Sequence, residues 1–278
     1  MRRDEGWRRA TPFSFAGIAR PLVMGIVNVT DDSFSDGGRF RDPARAIEHA
    51  LELAAEGADL VDVGGESTRP GAAPVPADEE LRRILPVIEG LAREGIAVSV
   101  DTMKAAVMRA AIAAGCAVVN DVNAFLATGA VEAVAGADVG LVVMHMQGTP
   151  RTMQQAPKYG DVAAEVGAFL RERATALETA GVAHERIALD PGFGFGKTLE
   201  HNRALFHALP ALAAMGYPLV AGVSRKKMIG ELTGRAVGER SAGSVAAALL
   251  AAQNGASLVR VHDVRETVDA LNVWMELR

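Results

Sequence analysis

The run Val23-Met24-Gly25-Ile26-Val27-Asn28-Val29-Thr30-Asp31-Asp32-Ser33-Phe34 decides the fold class. Its first seven residues are almost wholly apolar and rich in β-branched types, without polar alternation. That is the pattern of a parallel strand covered on both faces. A doubly wound sheet that binds a dinucleotide would turn next through G-x-G-x-x-G, but this chain turns through Thr30-Asp31-Asp32-Ser33-Phe34. Seven similar runs follow, at residues 60–63, 97–100, 117–120, 139–144, 186–189, 219–223 and 257–261. Alanine- and leucine-rich segments of helical pattern separate them, among them 42–56, 78–94, 103–114, 162–180 and 241–254. Gly57, Gly95, Gly115, Gly181 and Gly255 each stand between a helix and a strand, where a C-cap glycine is favoured. Asp42 before Pro43 fits an N-cap followed by an N1 proline. Eight strands, about eight helices and no linker predict a single (β/α)8 TIM barrel over residues 21–278, after an N-terminal extension of residues 1–20.

The 278 residues suit one such barrel, for which about 250 is typical. Apolar residues make up 49%, enough for a large core. Lys and Arg number 29 against 34 Asp and Glu, a net charge of −5. A phosphate-backbone binder carries a basic excess, so nucleic acid is not expected as a partner. The single cysteine, Cys116, can form neither an internal disulfide nor a multi-cysteine metal site. No run approaches the roughly 20 apolar residues of a membrane span. The charged start Met1-Arg2-Arg3-Asp4-Glu5 leads into no compact apolar run, so a cytoplasmic location is expected.

Barrel enzymes work at the C-terminal rim of the strands. Here the successive strands end on Asn28, Glu66-Ser67-Thr68-Arg69, Asp101, Asn120-Asp121, Met144-His145, Asp190, Ser224-Arg225-Lys226 and Arg260-Val261-His262. These stations recur roughly every 33 residues, close to one βα unit. One such residue would read as a turn cap. Eight on one rim read as a pocket. Asp101, Asn120 and Asp190 suit a flat heterocycle with several N–H donors. Arg69, Lys226, Arg260 and His262, with Asn28 and the Thr68 hydroxyl, suit a phosphate or diphosphate.

At this point the chain resembles the dihydropteroate synthase family. Met24–Thr30 with Asp32–Gly38 is similar to the family's first signature, and Asp62–Gly71 to its second. Ser99–Thr102, Asn120-Asp121, Asp190–Lys197, Gly222–Lys226 and Arg260–His262 follow in the family's order, over roughly residues 20–275. Asp31 departs from the pattern, standing where the family's first loop has proline.

The resemblance implies a reaction. A 7,8-dihydropterin carrying a diphosphate on its 6-hydroxymethyl group would condense with 4-aminobenzoate, the amine that sulfonamides imitate. Asp101, Asn120, Asp190 and Lys226 match the pterin-binding positions. Arg260 matches the arginine lying along the pterin face with its charge toward the diphosphate. Asn28, Arg69 and His262 match the rest of the anion site, with Asn28 also a Mg²⁺ ligand, and the Thr68 hydroxyl is expected beside them as a substrate contact. Arg69, Lys226, Arg260 and His262 would be the catalytic set. Phe34, Pro70, Phe195 and Ser224 match contacts of the amine. The family also implies a homodimer.

Gly192-x-Gly194-x-Gly196-Lys197 is not a nucleotide-binding G-x-x-x-x-G-K-[ST] and reads as a tight loop at the pocket. Met144, His145 and Cys116 read as packing. Two rivals frame the expectation. A pterin-barrel methyltransferase serving a corrinoid protein would share the acids but have no diphosphate to hold. A pterin-binding scaffold without turnover would have lost site positions, and none is replaced here.

Overall fold

A computed structural model describes residues 13–30 and 43–278. Eight strands form a closed parallel barrel in sequence order: β1 (Leu22–Asn28), β2 (Leu60–Gly64), β3 (Val98–Asp101), β4 (Val118–Asp121), β5 (Gly140–Met144), β6 (Ile187–Asp190), β7 (Leu219–Ala221) and β8 (Ala256–Val261). β8 pairs back onto β1, Val23 beside Val259, so no edge is left open. The open-sheet alternative is excluded. Each strand lies within two residues of its sequence expectation, because a short apolar run buried on both faces has little else it can do.

The helices are α1 (Pro43–Glu56), α2 (Ala77–Arg93), α3 (Ala105–Ala113), α4 (Ala130–Val134), α5 (Val162–Thr179), α6 (Leu199–His207), α7 (Leu209–Ala213), α8 (Lys227–Thr233), α9 (Ser241–Gln253) and α10 (Val264–Leu277). Ten helices among the described residues, where about eight were expected, come from two split units. Pro210 sits in the first turn of α7 and breaks it from α6. Gly234, at φ +71°, ends α8 ahead of α9. The five glycines expected between helix and strand all have positive φ, from +71° at Gly95 to +111° at Gly57. Pro43 opens α1, while its expected cap Asp42 lies outside the described residues. Among the described residues, no helix is long and apolar enough to cross a membrane.

Strand alternation sorts the barrel into two apolar layers. Val23, Val27, Val61, Val63, Val98, Val100, Val259 and Val261 face outward into the helix ring. Leu22, Met24, Leu60, Val118, Val142, Ala188, Val220 and Leu258 face inward and cluster with Phe13 and Phe15. Those two rings meet edge to face, 4.9 Å apart, and plug the N-terminal end of the barrel. Burying each contributes roughly 1.5–3 kcal/mol. Arg20 holds the incoming chain against Asp59 through two hydrogen bonds of 2.9 and 2.7 Å. That end is closed by apolar side chains. Two residues along from Leu60, Val118, Ala188 and Leu258, on the same inward face, stand Asp62, Asn120, Asp190 and Arg260. A polar layer thus lies directly on an apolar one.

Candidate active site

The floor of the pocket is a charged network of strand residues. Arg260 donates from Nε to Asp62 Oδ2 at 2.6 Å and from one terminal nitrogen to Asp101 Oδ2 at 3.1 Å. Asn120 Nδ2 donates to the same Asp62 oxygen at 3.1 Å. Asp62, Asp101 and Asn120 are all buried. Burial, and then the charge of Asp62, push the Asp101 carboxyl up to about 7, against the pull of Arg260. Asp62 was not among the expected site residues. It lies inside an apolar run rather than at a strand end, but its inward parity with Leu60 is a signal that points to it.

The register carries this floor to the rim. Asn28 pairs with Gly64, Gly64 with Asp101, and Asp101 with Asn120, so the ends of β1 to β4 form one row. Across the pocket stands Asp190, whose Oδ1 accepts the Gly192 N–H at 2.7 Å. Burial raises its pKa against the pull of Lys226. Lys226 reaches from the end of β7 to the loop after β6, where Nζ donates to the Phe193 carbonyl and lies 4.6 Å from the centre of the Phe195 ring. Burial pushes the Lys226 ammonium down to about 8, with Asp190 opposing.

The glycine-rich loop is built for its shape. A Cβ on Gly192 would stand 1.9 Å from the His145 carbonyl oxygen, so no side chain fits there. Lys197 turns inward, donating from Nζ to the carbonyls of Gly192 at 2.9 Å and Phe195 at 3.0 Å, and lying 3.0 Å from His145 Nδ1. Its ammonium therefore braces the loop that carries Phe195. His145, expected as packing, is a buried partner in that brace.

Basic side chains gather beside this floor, with Arg225, Arg260 and Arg69 all felt at His262. His262 is inward-facing and half-buried at the end of β8. Ser224 Oγ accepts the His262 backbone N–H at 3.1 Å and lies 3.0 Å from its Nδ1. With the hydroxyl hydrogen directed to Nδ1, the ring's own hydrogen is assigned to Nε2, which is left as a donor. Burial, and then Arg225, Arg260 and Arg69, push His262 down to about 3, so it is neutral. Asp263, which takes the Arg225 Nε at 3.2 Å and its terminal nitrogen at 2.7 Å, opposes that shift.

Thr68 is half-buried, while Arg69 and Pro70 are exposed on the loop after β2. That loop is braced within itself and tied to the body. Glu66 Oε1 accepts the Val75 N–H at 3.2 Å inside the loop, and Gly71 N–H donates to the Pro150 carbonyl at 3.2 Å. Lys104 Nζ pairs with both Glu66 and the fully buried Glu80. The structure thus brings Asn28, Asp101, Asn120, Asp190, Ser224, Lys226, Arg260 and His262 to one rim, with Phe195 against Lys226. Phe34 and Asp31 lie outside the described residues.

Carboxylates and an amide at the bottom with cations at the lip can hold a hydrogen-bonding ring joined to an anion. Known proteins are similar to this chain in sequence and in fold. The sequence profile of the family described as pterin binding enzyme matches residues 24–262. A dihydropteroate synthase of Neisseria meningitidis serogroup C is 52% identical over 266 residues, 94% of each chain. The structure of Xanthomonas albilineans dihydropteroate synthase with 4-aminobenzoic acid superposes with a TM-score of 0.88, at 56% identity over 94% of both chains. The same enzyme in complex with 7,8-dihydropteroate gives a TM-score of 0.85 at 54% identity, again over 94% of both chains. This chain belongs to the dihydropteroate synthase family of pterin-binding enzymes.

Proposed function

We propose that this pocket condenses (7,8-dihydropterin-6-yl)methyl diphosphate with 4-aminobenzoate, giving 7,8-dihydropteroate and diphosphate. The observation that carries the reading is the buried Asp62–Arg260–Asp101 network with Asn120, lying beneath Lys226 and His262. In this reading Asp101, Asn120 and Asp190 accept hydrogen bonds from the ring, and Lys226 donates to it. The Arg260 guanidinium lies between ring and anion, a planar role that lysine could not fill. Arg69, Thr68 and the Nε2–H of His262 face the diphosphate.

The bond between the exocyclic methylene and the diphosphate oxygen breaks, and the oxygen keeps the electron pair. The electron-rich ring carries the cation left behind. The arylamine nitrogen forms the new C–N bond and gives up a proton to solvent. The arginines and His262 stabilise charge that develops on the leaving oxygen, the kind of interaction that most lowers a barrier. The amine is a free nucleophile near neutral pH, so no strong base is required. Pro70, Phe195 and Ser224, with Phe34, are the proposed contacts for 4-aminobenzoate. A corrinoid-linked methyltransferase would have no use for the cationic lip.

Asn28 closes β1 on the inward face and offers a hard amide oxygen. Among the described residues no cluster of three or more His, Cys, Asp or Glu is set to enclose a metal. The Asn28 amide oxygen fits Mg²⁺, which commonly takes few protein oxygens and keeps water and phosphate as its other ligands. When bound, Mg²⁺ would neutralise charge on the leaving diphosphate. The proposal includes a cytoplasmic homodimer, supported by the family resemblance and testable by light scattering. The direct test is release of diphosphate from the pterin diphosphate with and without 4-aminobenzoate. Release that does not depend on the amine would refute the synthase reading.

A further inference from the structure

Asp62 has no exposed surface, yet one of its oxygens holds two donors and the other holds none. Oδ2 accepts from Arg260 Nε at 2.6 Å and from Asn120 Nδ2 at 3.1 Å. Oδ1 is buried without a partner among the described residues. A guanidinium beside a single carboxylate closes onto it with two parallel hydrogen bonds. The molecule does this twice elsewhere: Arg225 takes Asp263 by Nε and a terminal nitrogen, and Arg20 takes Asp59 by both terminal nitrogens. Arg260 does not do so with Asp101. It gives that residue one nitrogen, at 3.1 Å, because its Nε is committed to Asp62.

We infer that Asp62 is a positioning residue for the ring site: it keeps Arg260 from closing onto Asp101 and turns the acceptor oxygens of Asp101 and Asn120 toward the ligand. With Oδ2 of Asp101 taken by one N–H, its other oxygen is left for a ring donor. With Nδ2 of Asn120 held below, its carbonyl oxygen becomes the group available above. The inference rests on the pterin reading of the pocket. It also accounts for a carboxylate at this position. An amide could accept the same two hydrogen bonds, but without the negative charge that competes with Asp101 for the arginine.

The charges facing Asp101 are Asp62 of β2, Arg260 of β8, Glu80 of α2, Asp121 of β4 and Lys226 after β7. Removing the Asp62 charge withdraws one of the forces that raise the Asp101 pKa. It also frees Arg260 to pair more closely with Asp101. Both changes move the titration of Asp101 downward.

The test uses the full chain as wild type, Asp62→Asn, Asp101→Asn and the double variant. Calorimetry with 6-hydroxymethyl-7,8-dihydropterin, which lacks diphosphate, measures ring binding. The diphosphate-release assay gives KM for each substrate and the pH profile. Asp62→Asn should weaken the free pterin by about tenfold or more. It should raise KM for the pterin substrate, leave KM for 4-aminobenzoate in place, and move the acid limb of kcat/KM to lower pH. In the Asp101→Asn background the effect of Asp62→Asn on ring affinity should largely vanish. Unchanged affinity and pH profile in Asp62→Asn, or losses that add independently in the double variant, would overturn the inference. If Asp62→Asn does not fold, Asp62→Ser, which removes the charge with a smaller side chain, goes through the same assays: ring affinity should fall by about tenfold or more, and wild-type affinity in that variant would overturn the inference. A wild type that binds free pterin but releases no diphosphate would refute the synthase reading instead.

Discussion

Gly222 stands close beside the Asp190 carboxylate on the inward face of the barrel. A Cβ built on Gly222 would stand 3.8 Å from Asp190 Oδ2, 3.7 Å from Lys226 Nζ and 3.8 Å from the Arg260 Cβ. These are ordinary van der Waals separations, so the protein itself tolerates the methyl group. A flat ligand lying among those three groups does not. Gly222→Ala should therefore melt close to wild type while binding free pterin at least about tenfold more weakly, the loss expected from an overpacked site. Calorimetry beside a thermal melt checks this, and unchanged affinity would remove the ring from that part of the pocket.

His145 gives a prediction about acid stability. Burial, and then the Lys197 charge, push it down to about 3, from an ordinary value of 6.5. The unfolded chain therefore binds a proton below pH 6.5 that the folded chain does not take until about pH 3. Folded stability from this group is intact above pH 6.5 and falls across that window. Between pH 7 and pH 5 the wild type should lose up to about 2 kcal/mol relative to His145→Gln. Denaturant titrations of both proteins at the two pH values measure the difference. Parallel losses would show that His145 is not held neutral.

The loop after β2 depends on Lys104. Its ammonium pairs with Glu66 of the loop and with Glu80, which is wholly buried on α2 and whose Oε1 has no partner among the described residues. Lys104→Met leaves a buried carboxylate without its cation, a defect that costs on the order of 3–5 kcal/mol. Adding Glu80→Gln should restore much of that stability. Turnover should drop in the single variant because Arg69 and Pro70 ride on the freed loop. A single variant as stable as wild type would mean the cluster carries no net stabilisation.

The strands were legible because each is a short apolar run with a polar residue at its end, and that same feature exposed Asn28, Asp101, Asn120 and Asp190. Asp62 was hidden two residues below a strand end. It becomes visible only once the inward face is fixed by Leu60. The Lys104–Glu80 pair joins two separate βα units, and no local pattern of charge signals it. Ser224 matched an amine contact by resemblance. Its geometry adds a bond to His262 that depends on β7 and β8 being neighbours. The split of α6 from α7 was readable at Pro210, whereas the brace made by Lys197 required the loop to fold first.

Arg69 separates recognition of the ring from expulsion of the anion. It is exposed on the loop after β2, whereas Asp62, Asp101, Asn120 and Asp190, the acceptors of the floor, are buried strand residues. Its charge is nevertheless felt at His262, beside the proposed diphosphate site. Arg69→Ala should cut kcat by ~10²–10³, the usual loss on removing one donor to developing charge. Affinity for a free pterin without diphosphate should stay within about twofold of wild type, since surface substitutions away from a ligand rarely exceed a few tenths of a kcal/mol. Arg260→Met should damage both quantities, because its guanidinium touches the Asp62 and Asp101 carboxylates under the ring and also faces His262. Single-turnover kinetics with calorimetry on the two variants gives the contrast directly. An Arg69→Ala enzyme that lost free-pterin affinity and kept its turnover would show that ring and anion are not held by separate groups.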